Sequence, residues 1–144
     1  MQTDRKKALI NWIVIAAVFL FAILFSRLFQ GNTVVSRFTE EGLTLTGPES
    51  FNAAVTYSEM TEIGLKEEFD YGSAAGGSEN SRCRYGAWKN EAYGAYTLAV
   101  RKETKKAIVI KAGERVVVFN AEDDQTTETL YEAILQKTGL PKTQ

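Results

Sequence analysis

The sequence predicts a small, mainly β domain of seven or eight antiparallel strands and one C-terminal helix, preceded by a single transmembrane helix. Three observations support this prediction. A continuous apolar run occupies residues 8–25, short alternating segments fill most of residues 34–119, and helical periodicity begins only after residue 123. Without the apolar run, about 110 residues remain, which is enough for one hydrophobic core.

The apolar run reads ALINWIVIAAVFLFAILF, and Asn11 is its one strongly polar residue. As a helix it spans about 27 Å, close to the hydrocarbon thickness of a bilayer. A cleaved signal peptide is the alternative, but the residues that follow lack the small-x-small pattern of a cleavage site. The predicted segments are a basic tail at 1–7, a transmembrane helix at 8–29, a linker at 30–33, a domain at 34–140 and a tail at 141–144.

Flanking charge predicts the orientation of this helix. Arg5, Lys6 and Lys7 precede the run, whereas Arg27 alone lies close after it and Arg37 lies further on. Because positive residues are retained on the cytoplasmic side, the N-terminus is predicted to be cytoplasmic and the domain extracytoplasmic. The sequence therefore predicts a single-pass protein of the cell membrane.

Composition excludes several classes of function. The chain has a net charge of −1, and because residues 1–30 are basic, the remainder is mildly acidic. An acidic domain is a poor partner for nucleic acid, which requires a basic face. The chain contains no histidine and one cysteine, so Ser-His and Cys-His nucleophiles and an intrachain disulfide are excluded. We expect no enzymatic activity, no cofactor and no metal.

Period-two alternation justifies the strands in order. Eight segments show it or are rich in β-branched residues, and turn residues such as Gly42 and Gly113 separate them. The predicted strands are 34–38, 43–46, 54–57, 62–66, 82–86, 95–101, 107–110 and 115–119. Strands that precede a single terminal helix indicate an antiparallel sheet or barrel with the helix packed on one end.

The C-terminal helix is predicted over residues 125–138. Asp123 and Asp124 are suited to cap its N-terminus, and Gly139 is a stop signal. Leu130 and Ile134 lie one turn apart and are expected to be buried on the same face.

Several short sequence motifs occur within these elements. They are GLTLTGP at 42–48, VTYSEMTEI at 55–63, YGAW at 85–88, YGAYTL at 93–98, VFN at 118–120 and TTETLY at 126–131. Together they resemble the small bacterial pleckstrin-homology-like (PH-like) domains that follow one membrane helix in many Firmicute proteins. The resemblance covers about residues 34–140. It implies two orthogonal antiparallel sheets closed by a C-terminal helix, and it implies no enzymatic activity.

The candidate binding surface combines a basic run with two nearby aromatic residues. Its members are Arg101, Lys102, Lys105, Lys106, Trp88 and Tyr93. The run at 101–106 is predicted to form a solvated hairpin tip. Many eukaryotic relatives bind inositol phosphates through a basic first hairpin, whereas here that hairpin carries Glu40-Glu41-Gly42, which argues against such a ligand.

Three other features are given structural interpretations. The Gly-rich stretch at 71–78 lacks the ending of a phosphate-binding P-loop and is predicted to be a mobile surface loop. Cys83 is predicted to be a half-buried strand residue, with a reactive thiol beside Arg82 and Arg84 as the alternative. The acidic residues at 122–124 are interpreted as a helix cap rather than a Ca²⁺ site.

The function expected from the sequence is a non-enzymatic binding or assembly module at the membrane surface. Its partner would be a protein or peptide, such as another membrane or envelope protein. The alternative is a binder of anionic lipid or envelope polymer that uses the basic run at 101–106. A small envelope enzyme is the third hypothesis.

Overall fold

The computed structural model describes the backbone of residues 2–30 and 32–143, and the side chains of residues 4–24 and 32–143. Met1, Gly31 and Gln144, which belong to the predicted tails and linker, and the side chain of Arg27 lie outside these described residues. The chain divides into two units, Met1–Gly31 and Asn32–Gln144.

The first unit contains helix α1, Gln2–Gln30, which includes the basic residues predicted as a separate tail. Its segment Asp4–Leu24 has a mean hydropathy of 2.3 and is long and apolar enough to cross a membrane. The large apolar side chains described along it, such as Trp12 and Phe19, are exposed to the surroundings of the protein. Such a surface is stable in lipid rather than in water.

The second unit is mainly β, as predicted. Its strands are β1 Val35–Phe38, β2 Gly42–Thr46, β3 Asn52–Thr56, β4 Glu62–Lys66, β5 Ser73–Ala74, β6 Ser78–Glu79, β7 Cys83–Asn90, β8 Gly94–Arg101, β9 Ala107–Ala112 and β10 Arg115–Phe119. A single 3₁₀ turn, Tyr57–Glu59, precedes β4, and helix α2, Asp124–Thr138, follows β10. Every strand segment predicted from the sequence is present in the structure.

The strands form two sheets. The smaller sheet is antiparallel, with the order β1-β2-β3. The larger sheet has the order β4-β9-β10-β8-β7, and the two-residue strands β5 and β6 both pair with β7. Two sheets with a C-terminal helix confirm the mainly β prediction at this level.

The prediction that all the strands are antiparallel is wrong at one pair. Strand β10 lies parallel to β8, with Leu98 opposite Val118. Strands β8 and β9 therefore do not form a hairpin, since β10 lies between them and residues 102–106 connect their ends across it. The physical reason is burial. Strands β9 and β10 carry nearly continuous apolar runs, which are most stable at the centre of a sheet covered on both faces.

The larger sheet is covered on both faces by apolar side chains. One face packs against the smaller sheet and α2, with Leu43, Ile110 and Phe119 in this main core. The other face carries a second cluster, which includes Leu98 and Val118 and is covered by the segment before β5 through its aromatic side chains. This arrangement buries central strands that a solvent-facing sheet would leave half exposed.

The Gly-rich stretch at 71–78, predicted to be a mobile loop, instead contains β5 and begins β6. A side chain at Gly77 would place its Cβ 2.6 Å from both the Tyr85 carbonyl oxygen and the Trp88 Nε1. Glycine therefore lets this segment lie directly on β7. The glycine content of this stretch, from which we predicted mobility, instead allows close packing of its backbone.

Helix α2 has the predicted ends. The Asp123 carboxylate accepts a hydrogen bond from the Thr126 N–H at 2.6 Å, and Gly139 ends the helix with φ of 67°. The buried face consists of Thr127, Tyr131, Ile134 and Leu135. Leu130, predicted to be buried, is only partly buried because the apolar face is centred on Tyr131 and Ile134.

The N-cap makes stability depend on pH. The hydrogen bond from the Thr126 backbone lowers the pKa of Asp123 below its ordinary value. Because the folded-state pKa is the lower one, the ionised cap stabilises the fold above the unfolded-state pKa of about 3.9. That contribution is lost as pH falls through the folded-state pKa. Urea unfolding across this acidic range should show a shallower loss of stability for Asp123→Asn than for the parent.

Glu122→Gln is the matched control for this prediction, because Glu122 is exposed and precedes the cap. If stability falls equally gradually at acidic pH in both variants, the effect is due to general acidic charge rather than to the cap.

Candidate functional site

The structure does not bring the six predicted surface residues together. Trp88 is only 5% exposed and lies in the second apolar cluster, where its Nε1 donates to the Tyr85 carbonyl at 3.1 Å. Tyr93 is half-buried and stacks on Phe69, with the ring centroids 5.9 Å apart. Both aromatic residues therefore stabilise the cover of the larger sheet, and Trp88 is not part of a surface.

Lys105 and Lys106 lie beside acidic residues. Their backbone N–H groups both donate to Asp124 Oδ1 at 2.9 Å. The Lys106 ammonium pairs with Glu128 and lies 3.7 Å from Glu67, and the hydrogen bond to Glu128 raises the pKa of Lys106. Glu128 is half-buried. The charge of Lys106 is therefore neutralised, whereas Lys105 is exposed and is held through its backbone.

Arg101 and Lys102 occupy a different place, a cleft of about 180 Å³ where the start of β7 meets the end of β8. We call it the basic cleft, and it is lined by Thr33, Ser81, Arg82, Arg101, Lys102 and Glu103. The antiparallel register places Cys83 opposite Arg101. The Lys102 N–H then donates to the Arg82 carbonyl at 2.8 Å, so the two chain segments that carry the cations are joined by backbone.

Asn80 organises one side of the basic cleft. Its side-chain oxygen accepts from the backbone N–H groups of Arg82 at 2.8 Å and Cys83 at 2.9 Å. Its amide nitrogen donates to the Asn32 carbonyl at 3.1 Å. One side chain thus fixes the turn before β7 and attaches it to the start of the β domain.

Asn120 organises the other side and is almost fully buried. Its Oδ1 accepts from the Arg101 N–H at 2.7 Å, and its Nδ2 donates to the carbonyls of Arg101 at 3.2 Å and Thr104 at 3.3 Å. The Asn120 side chain thus makes the hydrogen bonds at the end of β8 that the backbone of β9 would make if the two strands were paired. Sequence reasoning missed the roles of both asparagines, and the available signal was a polar amide directly after an apolar strand, which applies to Asn120 only.

Part of the positive charge near the basic cleft is already paired. Glu79 Oε2 lies 2.9 Å from the Lys102 ammonium and 3.3 Å from Arg84. The hydrogen bond from Lys102 is the main cause of the lowered pKa of Glu79. Lys102 is therefore an ion-paired member of the lining, whose other basic residues are Arg82 and Arg101.

Cys83 lies beside the basic cleft but is fully buried rather than half-buried as predicted. Burial raises the pKa of its thiol, although the charges of Arg101 and Lys102 act in the opposite direction. A neutral, enclosed thiol does not fit the reactive-thiolate alternative. Among the described residues, no group of three or more potential metal ligands is found, and Asp123 acts as the helix cap.

A second site lies at the free edge of β4. After Gly139 the chain turns back, and Leu140 packs on the main core. Lys142 pairs with Glu132 at 2.7 Å, and Thr143 forms a parallel bridge with Gly64. The Thr143 hydroxyl also donates to the Ile63 carbonyl at 2.8 Å. The part of the predicted tail that is described therefore meets β4 at Thr143.

Comparisons with known proteins give little further information. No protein-family model matches the chain, and no solved structure matches it. The chain is similar to an acid phosphatase-like protein from Xenopsylla cheopis, with 33% identity over 95 residues. The aligned part is 66% of this chain but 24% of that protein, so the chain spans about a quarter of its relative. These comparisons do not place the chain in a family.

Proposed function

We propose that the chain is a single-pass membrane protein whose extracytoplasmic PH-like domain is a non-enzymatic binding module. Its ligand would be an extended peptide segment of a protein partner, which adds to the edge of β4 beside α2. The observation that carries this proposal is the chain's own C-terminal segment, which bridges to Gly64 in that position.

An edge strand exposes backbone N–H and C=O groups along one side, and an extended peptide satisfies them by adding a strand. Strand β4 pairs with β9 on one side only, and Thr143 bridges its other side at a single position. Gly64 lacks a side chain, so a second chain can approach closely. A Cβ at this position would lie 3.1 Å from the Thr143 hydroxyl, with no other contact within 4 Å.

The PH-like part of the proposal is supported by the two sheets and by α2, which packs against β4 and β9. The parallel pairing of β8 and β10 departs from the all-antiparallel arrangement of that fold. The alternative proposal, binding of anionic lipid or polymer by the whole run at 101–106, is weakened because Lys105 and Lys106 lie against acidic groups.

Two changes at the β4 edge should act in opposite directions on partner capture. Deletion of residues 141–144 should increase capture several-fold, because it removes a competing segment from the edge. Gly64→Val should reduce capture, because it adds a side chain where the peptide must approach. The measurement is quantitative cross-linking and mass spectrometry of the full chain in its own membranes.

Ala54→Val is the matched control for Gly64→Val, since Ala54 is exposed on β3 at the edge of the smaller sheet. The β4 assignment is contradicted if both changes at that edge leave capture unaltered. A complete absence of captured protein would contradict the binding function itself.

The orientation proposal rests on the charges that flank α1. A reporter that is active only in the cytoplasm, fused after Gln144, should be silent because the domain lies outside. Neutral replacements of Arg5, Lys6 and Lys7 should produce a mixture of orientations, since they remove the positive residues that retain the N-terminus inside. Strong reporter activity in the parent would place the domain in the cytoplasm.

A further inference from the structure

We propose that α1 is an interaction surface as well as an anchor, and that its partner is α1 of a second copy of the chain, joined to it through the side-chain amides of Asn11. This inference rests on the proposed membrane span. It is independent of the proposed peptide binding, because α1 and the β4 edge belong to different units of the chain.

Asn11 lies within the hydrocarbon part of the proposed span rather than at its boundary. It is the fourth residue of the apolar run at 8–25 and, along a helix, lies about 8 Å from the midpoint of that run. The hydrocarbon of a bilayer extends about 15 Å to either side of its centre. The amide is therefore surrounded by lipid chains rather than by water.

In a single copy of the chain this amide has lipid as its neighbour. The Asn11 side chain is exposed on α1, so it faces the surroundings of the helix. An amide has one acceptor oxygen and a nitrogen that donates two hydrogens, and lipid chains offer a partner to neither. Leaving such a group without hydrogen bonds in an apolar medium costs free energy, and a hydrogen bond to another helix recovers part of that cost.

A second copy of α1 supplies the missing donor and acceptor at the right depth. Two copies of one chain insert in the same direction, so their Asn11 side chains lie at the same level of the bilayer. Around a twofold axis parallel to the helices, each amide nitrogen can donate to the amide oxygen of the other copy. The residue is complementary to itself, and this property commits the surface to a second copy.

The face of α1 that carries Asn11 allows two helices to approach each other. Residues spaced alternately three and four apart lie within an arc of about 80° around the helix. Up to Leu24 this face consists of Ala8, Asn11, Ile15, Val18 and Ala22, and Phe25 continues the series at the end of the run.

The larger side chains of Asp4–Leu24 are directed elsewhere. The leucines and aromatic residues of this segment that are exposed on other faces are Leu9, Trp12, Phe19, Leu20, Phe21 and Leu24. Alternate spacing by three and four residues is typical of left-handed helix pairs, and small residues between such helices let their backbones come close. Hydrogen bonding and shape therefore indicate the same face.

The test measures association of the full chain in vesicles of phosphatidylcholine. Donor and acceptor fluorescent proteins are fused after Gln144 in two preparations, and energy transfer is recorded as the ratio of protein to lipid is varied. Competition with unlabelled chain separates specific pairs from chance proximity. We expect saturable energy transfer from the parent, and Asn11→Leu should raise the dissociation constant about three- to thirtyfold through loss of the interhelical hydrogen bonds. Asn11→Gln should fall between the two, because it keeps the amide on a longer side chain.

A matched pair of alanine variants tests the face. Ala22→Phe adds a ring on the face that carries Asn11 and should weaken association. Ala17→Phe makes the same change about 120° away from Asn11 around the helix and should leave association unaltered. None of these variants lowers the hydropathy of α1, so a failure to insert does not account for a loss of energy transfer.

The proposal is overturned if the inserted parent shows no saturable energy transfer, if Asn11→Leu associates as tightly as the parent, or if the two alanine variants behave alike. Each of these results leaves the membrane span in place. A parent chain that a carbonate wash removes from the vesicles would contradict the span itself, and the pairing of α1 with it.

Discussion

Ile134→Ala should destabilise the β domain by about 2–5 kcal/mol, because truncation of a buried isoleucine loses its transfer energy and leaves a cavity. Ile134 has 0% exposure and lies on α2 within the main core, together with Tyr131 and Leu135. A domain of this size has only about 5–15 kcal/mol of stability in total. The single change should therefore remove a large fraction of that stability.

Urea unfolding of the full chain in detergent measures this effect. The chain contains two tryptophans, so a Trp12→Phe background makes fluorescence report on the buried Trp88. Gln136→Ala is the control on the same helix, because Gln136 is exposed, and it should change stability by less than about 0.5 kcal/mol. Leu130→Ala should cost less than Ile134→Ala because Leu130 is only partly buried. Equal stability of Ile134→Ala and the parent would show that α2 is not part of the cooperative fold.

Asn120→Ala should cost about 3 kcal/mol or more. The change leaves the Arg101 N–H and the carbonyls of Arg101 and Thr104 without their partner. Each buried polar group that loses its hydrogen bond costs about 1–3 kcal/mol. The same urea unfolding measures the loss, and a change below about 1 kcal/mol would mean that water replaces the side chain without penalty.

A matched threonine pair on α2 tests the same polar network without removing volume. Thr127 is fully buried, and its hydroxyl accepts from the Ala121 N–H at 3.0 Å and donates to the Asp123 carbonyl at 2.7 Å. Thr129 is exposed, and its hydroxyl donates only to the Gln125 carbonyl. Valine has nearly the same shape as threonine, so Thr127→Val should be clearly destabilising and Thr129→Val close to neutral.

Local patterns were sufficient to predict eight of the ten described strands and helix α2. Alternation of apolar residues, as in Tyr96, Leu98 and Val100, identified eight strands, because side chains of a strand alternate between its two faces. The acidic cap and Gly139 similarly marked the ends of α2, since both act within a few residues. Each of these signals depends on residues that are close in sequence, so a single sequence is enough to identify it.

The order of the strands and the candidate sites depend on long-range pairing, which the sequence shows only weakly. The short connection at 102–106 favoured a hairpin, whereas the apolar runs of β9 and β10 were better suited to central positions. The split of the basic run followed from this difference. Arg101 lies beside Arg82 because β7 pairs with β8, whereas Lys106 lies just before β9, against Glu128.

The position of β10 also restricts the order in which the chain can fold. Strands β8 and β9 are complete in the nascent chain before β10 is made, and a direct hairpin between them is a competing non-native pairing. The residues that hold the correct connection, Asn120 and Asp124, emerge after both strands. A chain that stops before them keeps an open gap between β8 and β9. We therefore expect the β domain to become resistant to proteolysis during synthesis only after β10 and α2 have been made.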